Sequence, residues 1–168
     1  PELLQAHGGP DLLSDAHFLA FRDERFDVVY ASAVMEHLAC PALAVQEVSR
    51  ILKPGGVFMG SGSFIEPWHD DSFFHLSPLG VMETLTQAGF EIQYIWPGWD
   101  GFTALFAMLG TPTRPVRFVG GLLNTYYRGA RGARDMLKKM TGRAIEQPIF
   151  DDAKVAGAMD WIARKPAG

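Results

Sequence analysis

A chain of 168 residues, 48% hydrophobic and 20% charged, is long enough to build one domain around a sizeable core. No apolar run approaches the roughly 18 residues of a membrane span and no amino-terminal leader is visible. Cys40 stands alone, which excludes an internal disulfide and fits a reducing, cytoplasmic setting, with Cys40 expected to pack near a helix start.

The net charge of −4 conceals a split. Residues 1–100 hold only Arg22, Arg25, Arg50 and Lys53 as basic residues, together with most of the acids. Residues 114–143 are the reverse, with eight basic residues against Asp135. Such an asymmetry points to separate partners for the two segments, or to their meeting each other.

Taken in order, residues 1–10 read as a loop broken by Gly8-Gly9-Pro10, and Asp11 to Asp15 as a short strand. Phe26 to Ala31 is a β-branched run suited to a buried parallel strand. Pro41 opens a helix at its first turn, and Ala44, Val45, Val48, Ile51 and Leu52 recur on one face of it. Gly55-Gly56 ends it, and Val57 to Gly60 begins the next strand. Ser77-Pro78 is a cap followed by proline at the first helical position; Val81, Met82, Leu85 and Ala88 form that helix's apolar face, and Gly89 closes it. Phe90 to Trp96 and Ala158 to Ala163 read as strands. The alternation predicts an α/β sheet.

Residues 100–147 break that rhythm. Phe102 to Leu109 reads as a short helix, and Pro115 opens a longer one with a stripe from Val119 through Leu123, Tyr126 and Ala130 to Leu137 and Met140. Gly120, Gly121, Gly129 and Gly132 each weaken it by up to about 1 kcal/mol relative to alanine, so a bend or break is expected.

The order LSDAHFLAF, FDVVYASAVMEHL and LKPGG resembles the second half of the core of class I S-adenosylmethionine-dependent methyltransferases of the type 11 kind. The resemblance covers roughly Asp11 to Gly89. It implies a partial Rossmann-like sheet, mostly parallel with an antiparallel last strand, in a single incomplete domain over 1–168 with a helical insertion at 100–147. It implies S-adenosylmethionine as cofactor and a small-molecule or lipid-linked acceptor. Asp15 and Ala16 match the family's acidic-then-small pair, whose carboxylate accepts from the adenine amine; Phe18, Leu19 and Phe21 are wall candidates. The other reading of Asp15 is a turn cap. Ala31, Ser32 and Ala33 stand at the strand exit where the family holds the methionine end of the cofactor.

Glu36-His37 resembles the family's Glu-His pair. His37 either lines the transfer site or bonds a loop carbonyl. The run FIEPWHDDSFFHLSP resembles a loop of a type 11 subgroup, in which His69 or Asp70 would accept a proton from a hydroxyl nucleophile. Alternatively its polar residues satisfy only local backbone. His69, Asp70 and His75 show no ligand spacing, so no metal is expected.

A complete family member opens with a strand, a glycine-rich turn and an acidic strand end. None of these precedes Asp11, and the chain starts at Pro1, so a fragment, a partner-completed sheet or an altered pairing of the strands is expected. Without those strands Phe26–Ala31 becomes a bare apolar edge, which predicts a homodimer or a partner chain. The rival to the enzyme reading is a non-catalytic methyltransferase-like module that binds a partner subunit. The 114–143 segment is expected to be a basic solvated helix answering the acidic core, rather than a membrane or nucleic-acid surface.

Overall fold

Pro41 and Ser77 set the two helices that cover the sheet. The computed structural model describes residues 11–66, 68, 70–107, 114–142 and 156–168. Helix α1 (Pro41–Ile51) has its proline in the first turn and buries Ala44, Val45, Val48 and Ile51. Helix α2 (Pro78–Gln87) starts at Ser77, whose hydroxyl accepts from the Gly80 N–H at 3.1 Å. Val81 and Leu85 are its buried residues, and Met82 and Ala88 pack partly buried against the core. Gly89 follows at φ +84°, a conformation that suits glycine at a helix end. Replacing Ser77 with alanine is expected to cost about 1 kcal/mol in a denaturant titration, the usual worth of an amino-terminal cap.

The strands are β1 (Phe26–Ser32), β2 (Leu52–Ser63), β3 (Glu91–Asp100) and β4 (Ala156–Arg164), in the order β1-β2-β4-β3. β1 pairs parallel with β2, while β4 lies antiparallel between β2 and β3. Three strands therefore run one way and the last runs against them, as the sequence led one to expect. Leu52 already pairs with Phe26, so β2 begins earlier than Val57, with a bulge across Lys53–Gly56.

The register sorts the sheet into two faces. Val29, Ala31, Phe58, Gly60, Ile95 and Trp161 share the face covered by α1 and α2, where Phe58 meets Trp161 at 5.7 Å and Phe90 at 5.6 Å between ring centres. Tyr30, Met59, Ile162 and Tyr94 form a row across the other face, with Ser32, Ser61, Asp160 and Trp96 beside it. β1 is the edge, and Tyr30 is 69% exposed.

Four expectations need correction. Asp11 to Asp15 is not a strand: no described strand lies beside β1 on that edge to pair with it. Cys40 is exposed just before Pro41 rather than packed. The long helix α4 (Arg114–Met140) runs through its glycines without a break. Finally, α4 is not simply solvated. Its contact with α3 (Gly101–Ala107) includes Phe102 against Tyr127 at 6.2 Å, while its apolar stripe faces outward. Residues 143–147 of the insertion lie outside the described residues, as do residues 1–10.

Candidate functional site

Residues 14–25 have no helix or strand of their own and are held by side chains of α1. Arg50 is the hub. Its guanidinium donates to the carbonyls of Leu19 (2.9 Å) and Phe21 (2.8 Å) and to the carboxylates of Glu47 and Asp23. Glu47 in turn accepts from the Leu19 N–H at 2.9 Å. The Arg50 contact holds the Glu47 carboxyl below its ordinary range, and Glu47 and Asp23 together raise the arginine further.

A lowered carboxyl value stabilises the native state above the unfolded group's value, and the benefit is lost as pH falls through the native one. In a carbon-13 titration the Glu47 midpoint is expected below that of an ordinary glutamate, with the Leu19 amide shift following it. Arg50→Gln should move both midpoints upward. An unmoved midpoint would remove Arg50 as the cause.

Asp15 sits on this loop. Its Oδ1 accepts from the His17 backbone N–H at 2.9 Å and from His17 Nδ1 at 2.7 Å. The backbone bond first, and the ring bond second, hold the Asp15 carboxyl below its ordinary range. His17 Nε2 accepts from the Cys40 N–H at 3.1 Å, which assigns the ring proton to Nδ1. Asp15 therefore does form a turn, and its exposed carboxylate is anchored through His17 to the start of α1. Sequence reasoning missed His17; its spacing of two from Asp15 was the available signal.

Beneath this loop lies an apolar cleft of about 210 Å³. Ala16 and Leu19 line it from the loop, Ala31 from β1, and Val34 and Leu38 from the turn that follows. Two of the five expected cofactor residues, Ala16 and Ala31, thus meet across one cleft. Val34 and Leu38 were not singled out from the sequence. Of the wall candidates only Leu19 lines the cleft; Phe18 is exposed, and Phe21 packs edge-on against Phe26 at 4.9 Å.

Ser32 turns to the opposite face. Its hydroxyl pairs with that of Ser61 at 2.8 Å, and both line a second cleft of about 310 Å³ with Tyr30, Trp96 and Asp160. Burial pushes the Asp160 carboxyl up, offset by a hydrogen bond from Trp96. Ala33 ends the strand at φ +52°, a left-handed conformation that costs a non-glycine residue energy. Its N–H is held by the carbonyl (3.1 Å) and hydroxyl (3.3 Å) of Ser61. A strained residue pinned at a strand exit is a common feature of ligand sites.

The turn at Met35–His37 is a short 3₁₀ helix. Glu36 is buried, with Oε1 2.7 Å from the Ser63 hydroxyl, which also lies 2.6 Å from Glu66 and donates its single proton to one carboxylate at a time. The Glu36 carbonyl accepts from the N–H groups of Phe73 and Phe74, at 2.7 and 3.2 Å. Glu36 thus fastens the loop after β2 onto this turn. His37 is half-buried beside it. Asp70 is exposed on that loop at φ +43°. His69 lies outside the described residues.

Residues 3–60 match the family described as a methyltransferase domain. Over that segment, about a third of its length, the chain is similar to a methyltransferase domain. No curated protein matches it. Among solved structures it is similar to the [4+2]-cyclase SpnF, at 23% identity and TM-score 0.52 over 92% of this chain and 55% of that one. It is similar to a candidate methyltransferase of Bacillus halodurans, at 19% identity and TM-score 0.52 over 91% of this chain and 70% of that one. A third, a candidate methyltransferase of Haloferax volcanii in complex with the Trm112 methyltransferase activator, gives 19% identity and TM-score 0.59 over 99% of this chain and 68% of its own. The chain therefore spans little more than half of the cyclase. At these identities the likeness shows the fold, and one neighbour named as a cyclase shows that the fold alone does not name a reaction.

Proposed function

We propose that the chain binds S-adenosylmethionine with the adenosyl end in the cleft under the Asp15 loop, and serves methyl transfer to a small-molecule or lipid-linked acceptor. The observation that carries this reading is the meeting of Ala16 and Ala31 across one apolar cleft, inside the segment that matches the methyltransferase family. The residues fit such a group. Leu19, Val34 and Leu38 offer apolar walls to a flat ring, and small residues at 16 and 31 leave room for it. Asp15, kept ionised by His17, is an acceptor for an exocyclic amine. Ala33 at the strand exit, with Ser32, would meet the methionine end.

When bound, the cofactor supplies an electrophilic methyl group on a sulfonium. The chain's own task is alignment and exclusion of water, which needs no strong base. His37 is our candidate for receiving a proton from an acceptor hydroxyl, with His69 and Asp70 as further candidates. Calorimetric titration with S-adenosylmethionine is expected to show one site, weakened about tenfold in Asp15→Asn, the scale of one hydrogen bond to a charged group. Equal affinity in the variant would take Asp15 out of the site.

A second reading has its own observation. The edge strand β1 exposes Val28 and Tyr30, without proline or lysine to guard it. A second copy or a partner protein covering that edge would make the chain a partner-dependent module, as the Haloferax relative is found with an activator. Light scattering is expected to show a dimer or a requirement for a partner; a soluble monomer without cofactor affinity would refute both readings.

A further inference from the structure

Helix α4 is built inside out. Taken at 100° per residue, the apolar residues from Phe118 to Met140, Tyr127 apart, occupy one arc of roughly 140° that contains no charge. In a helix of a folded domain that arc normally faces the core. Here the inward side is the polar one: Gly120 is buried, and Asn124, Tyr127, Arg131, Asp135 and Lys138 follow it half-buried at steps of three and four. The apolar arc points away from the domain. Phe118, Leu122, Tyr126, Met136, Leu137 and Met140 are all more than half exposed. The arc runs the length of 27 residues, roughly 40 Å.

Its flanks carry one sign of charge. Arg128 and Lys139 lie along one border of the arc, and Arg134 along the other. The one acid of the helix, Asp135, is on the inward side and pairs with Arg134 at 3.5 Å. An apolar stripe bordered by cations on both sides is complementary to an anionic surface with an apolar layer beneath it. We propose that α4 lies in the plane of a membrane and docks the chain on anionic phospholipid, the apolar arc inserted at the acyl boundary and the flanking cations at headgroup level.

The same charges argue against the other occupants. A second copy pairing through this face would set the cationic borders of two helices against one another. The acidic loop and α1 region of a second copy is a poor target, because Asp23, Asp27 and Glu47 are already paired with Arg50 and Lys53. No helix among the described residues is long and apolar enough to cross a membrane, so the contact is a surface one. The proposal does not rest on the cofactor reading, although a membrane foot would bring the chain to a lipid-linked acceptor.

The test is flotation of the full chain with vesicles of phosphatidylcholine alone and of phosphatidylcholine with phosphatidylserine. Binding is expected to the anionic vesicles and to weaken with added salt. Leu122→Ala with Met136→Ala, which keeps strong helix formers at exposed positions, should lower partition about tenfold or more. Arg128→Gln with Lys139→Gln should lower binding to anionic vesicles by about tenfold. Failure to bind anionic vesicles, binding unchanged by the apolar substitutions, or equal binding to both vesicle types would overturn the proposal. Loss of self-association in the alanine variant without any vesicle binding would assign the face to a second copy instead.

Discussion

Trp161→Ala is expected to leave the chain largely unfolded. Trp161 is 1% exposed, fills the centre of the helix-covered face and stacks edge-on against Phe58. It also passes close over Gly60: a Cβ at position 60 would overlap the indole and the Ala31 carbonyl oxygen, so the sheet is built around this contact. Truncating a buried aromatic costs about 3–5 kcal/mol, comparable to the whole stability of many domains of this size. Trp161→Phe should be far milder, because the buried indole nitrogen has no partner among the described residues to lose. Urea titrations of the two variants check this. Equal destabilisation would contradict the view that Trp161 acts through its buried ring volume.

The second large effect is expected at the cleft. Ala31→Leu places a branched side chain where the cleft is bounded by Ala16 and Leu19. Ala31 is only half-buried and lies on the edge strand, so the native state should tolerate the change. Binding of the adenosyl group should fall about tenfold to a hundredfold, the scale of overfilling a packed site. The checks are calorimetry with S-adenosylhomocysteine and a thermal melt. A melt that drops with affinity unchanged would move the cofactor elsewhere.

How far these sites were legible in the sequence depends on the range of the forces involved. Helices α1 and α2 were readable because proline at the first turn, a serine cap and glycine at the end act locally, and their apolar spacing needs no partner. The antiparallel last strand followed from the family pattern. Asp11–Asp15 failed for the opposite reason: a strand exists only through a neighbour, and its composition does not say whether one is there. The glycines of α4 suggested a break, yet 27 residues of consistent amphipathic spacing outweighed four local penalties. The outward turn of its apolar arc was invisible, since a stripe records that a face is apolar but not what it faces.

Ala16 and Ala31 were singled out by motif, and the fold brings both to one cleft. Val34 and Leu38 emerge only once the 3₁₀ turn folds them over the cleft. His17 and Arg50 work through hydrogen bonds to backbone carbonyls and N–H groups far along the chain, which no local pattern announces.

The most direct test of the central claim is an amide shift titration of the chain with S-adenosylhomocysteine. Perturbation is expected at Ala16, Leu19, Ala31, Val34 and Leu38, with the row at Met59, Ile162 and Tyr94 on the opposite face unmoved. Saturable shifts centred on Trp96 and Asp160, or no shifts at all, would contradict it.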